Sequence, residues 1–166
     1  MSRRPNIIFI LADDMGYGDM SRFNGGLSQT PVLDALAGEG ICLTQNYAGS
    51  PVCNPSRASL LTGRYAHRTG SIDTFDHLGG ERLSLRERTI ADVFKNAGYA
   101  TGLVGKFHNG TIGDAYHPNR RGFDEFFGFR GGWQFYFEPR IERNGTPLRP
   151  KGKYLTDMLT DEAIDF

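Results

Sequence analysis

The first patterned stretch of the chain is Asn6-Ile-Ile-Phe-Ile-Leu-Ala12, apolar on both faces and rich in isoleucine. Such a run predicts a strand buried on both sides, as in a parallel sheet. A helix follows in the reading of "TPVLDALAGEG", with Thr30 as N-cap, Pro31 at the first helical position and glycines to stop it. "ICLTQNYA" (41–48) has strand character. "NPSRASLLTG" starts on Asn and Pro and ends on Gly63, the marks of a short helix. "SLRERTIADVFKNAG" places Ser84 and Glu87 at capping-box spacing. Leu85, Ile90, Val93, Phe94 and Ala97 follow as an apolar stripe, with Gly98 as C′. "YATGLVGK" then returns to a strand.

The pattern changes between 109 and 153. Gly, Arg and aromatic residues dominate without a clean period, which predicts packed loops with short strands. "YLTDMLTDEAIDF" closes the chain on a helical pattern. The alternation of strand and helix predicts an α/β fold with a mainly parallel sheet flanked by helices. A sheet of so few strands, with a final helix breaking off at Phe166, predicts a single incomplete domain spanning 1–166.

Composition narrows the classes of partner. The chain has 166 residues, with Lys plus Arg and Asp plus Glu equal at 19 each. No net charge therefore argues for nucleic acid or a membrane surface. The opening "MSRRPNIIFILADD" pairs two arginines with an apolar run, but the run is short for a signal peptide and an acidic pair follows it. The expectation is a cytoplasmic protein in which Cys42 and Cys53 are free thiols.

Three short constellations could carry chemistry. Cys53 sits at a predicted helix start, where unpaired N–H groups and the helix dipole favour an anion. Arg57, four residues on, falls on the same helical face. The same spacing also suits a small buried thiol beside an exposed arginine. Asp13 and Asp14 fall at the end of the first predicted strand, where open α/β sheets bind ligands. Adjacent carboxylates there suit a hard cation, or a solvated turn. Lys106 and His108 flank Phe107 after the last predicted strand, so in an extended backbone they share a face. That pair suits an anionic substrate and proton transfer, or a plain surface.

Further candidates are weaker. His67 and Arg68 follow the short helix and cover its end, and His77 and His117 lack ligand-spaced partners. Asn109-Gly110-Thr111 and Asn144-Gly145-Thr146 have the form of glycosylation sequons but read as turns. The arginines from 120 to 143 alternate with aromatics, yet Asp124, Glu125 and Glu138 dilute any nucleic-acid face.

Together these segments resemble one family. "CNPSRASLLTGR" resembles the sulfatase signature Cys-x-Pro-Ser-Arg followed by x-Ser-Leu-Leu-Thr-Gly-Arg. "NIIFILADDMGYGD" is similar to the family's opening strand and metal site. "GKFHNG" resembles its Gly-Lys-Trp-His element, with Phe107 where tryptophan is commoner. "RRGFDEFFGF" and "YLTDMLTDEAIDF" are similar to later segments in the same order.

The resemblance implies the alkaline-phosphatase-like sulfatase fold and hydrolysis of sulfate esters, small or carbohydrate. It implies conversion of Cys53 to formylglycine by a formylglycine-generating enzyme. One hydroxyl of the hydrated aldehyde attacks sulfur, and the second then expels sulfate. It implies Ca²⁺ held by Asp13, Asp14 and the modified Cys53, with Arg57 stabilising the nucleophile. Lys106 would hold the sulfate and His108 would hydrogen-bond the hydrate.

The family also uses a later Asp-Asn type pair, an acid histidine and a further lysine. Nothing after residue 108 supplies that pair in context, so the expectation is an N-terminal portion with weak or no activity alone. A phosphonate or phosphodiester hydrolase sharing this nucleophile, or a non-catalytic remnant, are the competing readings.

Overall fold

The computed structural model describes residues 4–74 and 82–166, which form two compact units, Met1–Tyr47 and Ala48–Phe166. In the first unit the run 6–12 carries no ladder partner, so the expected strand does not form there among the described residues. Its apolar side chains stand outward, Ile8 at 87% and Ile10 at 80% exposure. A strand needs neighbours to take its N–H and C=O groups, and an apolar run alone cannot supply them. Segment 41–48 departs from its expected strand in the same way, with Ile41 and Tyr47 exposed.

Two helices do form in this unit, α1 (Ser21–Asn24) and α2 (Pro31–Glu39). Pro31 takes the first helical position, as its fixed φ and missing donor predict. Thr30 is the N-cap by position, but its hydroxyl does not cap the helix. It donates to Asp34 and accepts from the Ser21 N–H at 2.9 Å, tying α1 to α2.

The second unit is a sheet with helices on both faces. Its helices are α3 (Cys53–Thr62), α4 (Ile90–Asn96) and α5 (Leu155–Asp165). Its strands, in sheet order, are β1 (Gly102–Lys106), β2 (Glu125–Phe129), β3 (Ile141–Arg143) and β4 (Thr146–Leu148). β1 and β2 are parallel, and β2–β3 and β3–β4 are antiparallel. The sheet is therefore mixed, and the α/β class stands. Asn144-Gly145 forms the two-residue turn between β3 and β4, both with positive φ, as a hairpin of this hand requires.

Side-chain alternation divides the core. Leu103 and Phe126 point to one face, where they meet Ala58 and Leu61 of α3, Ala91 of α4, Leu83, Phe107 and Phe123. Val104 and Phe127 point to the other, against Leu155, Met158 and Leu159 of α5 and Ile141. Between them Gly105 lies opposite Gly128. A Cβ on Gly128 would stand 2.0 Å from the Gly105 carbonyl oxygen, so the two strands approach as only glycine permits.

The α4 boundary corrects the capping expectation. The helix starts at Ile90, with Thr89 and Asp92 exchanging the capping-box hydrogen bonds. Ser84 and Glu87 lie in the turn before it, where the Glu87 N–H donates to the Ser84 carbonyl at 3.0 Å. Gly98 ends the helix at φ 82, as expected of C′. Of the predicted stripe, Leu85, Ile90 and Val93 are about half exposed, and Ala91 carries the burial. No helix of the described residues is long and apolar enough to cross a membrane.

Candidate active site

Cys53 is the first residue of α3. Val52 before it is extended, and the Ser56 N–H closes the first turn on the Val52 carbonyl at 3.1 Å. Pro55 has no N–H, so Cys53 and Asn54 hold the helix donors that lack an acceptor within the helix. Those donors give the end of α3 its positive character, and no acidic side chain in the first turn offsets it. Cys53 is half-buried and, like Cys42, a free thiol, as expected from the sequence.

Arg57 stands one turn further along α3. Its Nη1 donates to the backbone carbonyl of Lys106 at 2.6 Å. The guanidinium therefore does more than flank Cys53, because it clamps α3 to the C-terminal end of β1. At the far end of the helix Gly63 takes φ 65. Beyond it Arg64 Nη1 reaches both carboxylate oxygens of the buried Glu87, at 2.7 and 3.0 Å. Glu87 thus holds the helix that carries Cys53 rather than capping α4.

Lys106 ends β1, and the parallel ladder continues past it. Phe107 N–H donates to Phe129 O at 3.0 Å and His108 N–H to Arg130 O at 3.1 Å. Phe107 is buried in the core, and His108 is only 2% exposed. His108 has φ 55, so the backbone leaves the extended form at this residue. The expectation that Lys106 and His108 share a strand face assumed extended backbone, and it fails at that left-handed residue.

Asn109 reads in the sequence only as part of a turn, and the structure places it at the junction. It is wholly buried. Its Nδ2 donates to the Asn54 carbonyl at 3.0 Å and to the His108 carbonyl at 2.7 Å. Two contacts, Arg57 to Lys106 and Asn109 to Asn54, thus bring the Cys53 turn and the Lys106–His108 turn together. A polar side chain straight after a strand that ends in Lys-x-His was the available signal.

Asp13 and Asp14 lie in the first unit, after segment 6–12. Both are exposed, and the chain bends at the pair, with Asp14 at φ 59. Exposed carboxylates on adjacent residues at such a bend are a hard-oxygen donor set.

The weaker candidates fall elsewhere. His117 Nδ1 accepts from the Asn119 N–H at 3.2 Å, with Nε2 3.5 Å from Glu142 Oε2. His67 stacks on Tyr65, and His77 lies outside the described residues. In the Asn144 sequon the side-chain amide donates to Glu125 Oε2, and its oxygen accepts the Phe126 N–H.

The sulfatase family profile matches residues 5–166. Arylsulfatase G of Homo sapiens is 46% identical over 126 residues, covering 76% of this chain and 24% of that protein. The crystal structure of Ps i-CgsB superposes with a TM-score of 0.90 at 36% identity, covering 99% of this chain and 41% of the other. The structure of BT4656 in complex with its substrate D-glucosamine-2-N,6-O-disulfate gives 0.82 at 34% identity, with 99% and 31% covered. The chain thus spans about a quarter of the length of the curated relatives it matches.

Proposed function

Because this chain belongs to the sulfatase family, we propose that it is the N-terminal portion of the catalytic domain of a sulfuric ester hydrolase. The observation that carries the reading is the Arg57–Lys106 contact. It joins the turn holding Cys53 to the turn holding Lys106 and His108. Arylsulfatase G and BT4656, the latter named with a disulfated glucosamine substrate, support sulfate esters as the substrate class.

Each residue has a role its position can serve. Cys53, free and half-buried at the start of α3, is the residue to be converted to formylglycine. That group supplies a hydrated aldehyde, one hydroxyl to take the sulfuryl group and the other to expel it. The N-terminal dipole of α3 and the Arg57 guanidinium favour the ionised form of the nucleophile. Lys106, at the strand end, supplies a compact cation for the sulfate oxygens. His108, enclosed beside it, supplies a hydrogen bond to the nucleophile. Asp13 and Asp14 fit Ca²⁺ by donor chemistry, and the cation supplies positive charge against the sulfate.

The test is a mass spectrum of the Cys53 peptide from the native protein, with rates on aryl sulfate and aryl phosphate esters. A peptide that has lost sulfur and gained an aldehyde oxygen, with sulfate the faster substrate, is the expected result. An unmodified thiol, or faster phosphate hydrolysis, overturns the reading.

A further inference from the structure

His108 stands in a backbone conformation that residues with a side chain rarely adopt. Its φ of 55 places it in the left-handed region, where Cβ crowds the following carbonyl. Such a conformation persists when its surroundings hold it from more than one side. The His108 N–H donates to the Arg130 carbonyl at 3.1 Å, which ties the residue to the end of β2. The His108 carbonyl accepts from Asn109 Nδ2 at 2.7 Å. The imidazole is enclosed, so a change of backbone cannot be absorbed by swinging the ring through solvent.

The Asn109 amide also serves a second acceptor, the Asn54 carbonyl, at 3.0 Å. Asn54 directly follows Cys53, so one planar NH₂ group joins the Cys53 turn to the His108 turn. Few side chains could do this in a wholly buried place. An ionised Asp has no donor, Ser and Thr have one, and Gln is a methylene longer. Leu fills a similar volume and offers no donor. The turn is backed as well. The Leu83 N–H donates to the Asn109 carbonyl at 3.3 Å, and a Cβ on Gly110 would collide with Tyr116. The amide therefore projects from a fixed base.

We propose that Asn109 is a positioning residue for sulfate-ester hydrolysis, holding His108 at positive φ and in register with the first turn of α3. It acts through His108 and the Asn54 peptide rather than on the reacting atoms. Without it, His108 relaxes toward negative φ and its ring leaves the nucleophile. Lys106 stays in the β1–β2 ladder and still meets the sulfate. The loss therefore falls on kcat rather than on KM. The role given to His108 rests on the sulfatase reading.

The test uses the full-length protein, with 4-nitrophenyl sulfate kinetics and the crystal structure of a variant. In Asn109→Leu, kcat falls about ten- to a hundredfold while KM stays within about twofold. The structure of that variant shows His108 at negative φ with its ring displaced. In Asn109→Asp the loss is as large at about pH 8, where a carboxylate faces two carbonyls. Relative to the parent at the same pH, it lessens toward about pH 5, because a protonated carboxyl regains one donor. Asp124→Asn is the stability control, since Asp124 pairs with Lys95 beside the start of β1, away from His108. Its kcat matches the parent at both pH values. Where Asn109→Leu gives no soluble protein, Asn109→Ser, with one donor in less volume, carries the same readouts.

A kcat within about twofold of the parent in Asn109→Leu overturns the proposal. So does a variant structure in which His108 keeps its positive φ. A loss in Asn109→Asp that is equal at both pH values overturns it too. A native protein that hydrolyses no sulfate ester removes the sulfatase reading, and the variant's φ at His108 still reads whether Asn109 holds it.

Discussion

Arg57 donates from Nη1 to the backbone carbonyl of Lys106 across 2.6 Å, joining residues 49 positions apart in the chain. A hydrogen bond from a charged donor contributes about 1.5–3 kcal/mol. The same guanidinium lies one helical turn from Cys53, so its stabilising and catalytic roles need separate readouts. Arg57→Ala is expected to lower unfolding free energy by about 1–3 kcal/mol and kcat by about a hundredfold. Arg57→Gln keeps a donor but no charge. It should recover part of the stability and none of the rate, as denaturant titration and aryl sulfate kinetics will report.

Asn109 offers the second link. Its amide donates to two carbonyls, of Asn54 and His108, with no solvent to replace it. Asn109→Leu leaves both acceptors unserved, at a cost of about 1–3 kcal/mol for each group. Asn109→Asp turns an oxygen toward both carbonyls and is expected to destabilise at least as much above the carboxyl pKa. Thermal unfolding at pH 5 and pH 8 distinguishes the two substitutions. The same burial predicts no glycan at Asn109 in the folded protein, which peptide mass spectrometry can read.

The second unit was legible from sequence because its elements are local. Pro55 and Gly63 bracket α3, Gly98 ends α4, and Asn144-Gly145 specifies a hairpin turn. The run at 6–12 misled because periodicity records that a strand is to be buried, not which strand pairs with it. The Ser84–Glu87 spacing misled because Thr89 and Asp92 offer a second capping box five residues on, directly before the first helical turn. At the site, the residue types were readable and the couplings were not. That Arg57 reaches a backbone carbonyl, or that His108 takes φ 55, depends on how a helix and a strand end meet in space.

Removing calcium tests the acidic pair. If Asp13 and Asp14 hold the cation, chelation should abolish sulfate-ester turnover and added Ca²⁺ should restore it. Asp13→Asn and Asp14→Asn each remove a charge from the donor set and are expected to raise the calcium concentration for half-restoration about ten- to a hundredfold. Turnover indifferent to both chelator and substitution would exclude a metal role for the pair.

Asp124 gives a pH prediction with a definite sign. Its carboxylate pairs with Lys95 at 2.6 Å and accepts from the Thr101 hydroxyl at 3.0 Å and N–H at 3.1 Å. The Lys95 hydrogen bond is the larger cause and Thr101 the next, and together they hold its pKa below the ordinary 3.8. A depressed folded pKa stabilises the protein above the unfolded value and loses that contribution as pH falls through the folded one. Asp124→Asn should therefore be less stable than the parent at pH 6. The gap should close as the pH drops below about 4, the range in which a carboxylate takes up its proton. Because Asp124 is partly exposed, about 0.5 M salt should also narrow the gap at pH 6.

Gly128 tests the frame on which β1 places Lys106. The residue has φ 154, and a Cβ there would lie 2.0 Å from the carbonyl oxygen of Gly105 and 2.7 Å from its carbonyl carbon. Both obstacles are backbone, so relief requires β1 and β2 to part, and the Phe107 and His108 ladder bonds lie just beyond that point. Gly128→Ala is expected to cost more than about 3 kcal/mol and to lower soluble yield. Gly63→Ala is the matched control, since Gly63 also has positive φ but nothing stands within 4 Å of its Cβ position. Its cost should be that of the backbone conformation alone, about 1 kcal/mol. Equal unfolding midpoints for the two variants would mean that β1 and β2 tolerate separation at Gly105, and that the Lys106 turn does not depend on their close approach.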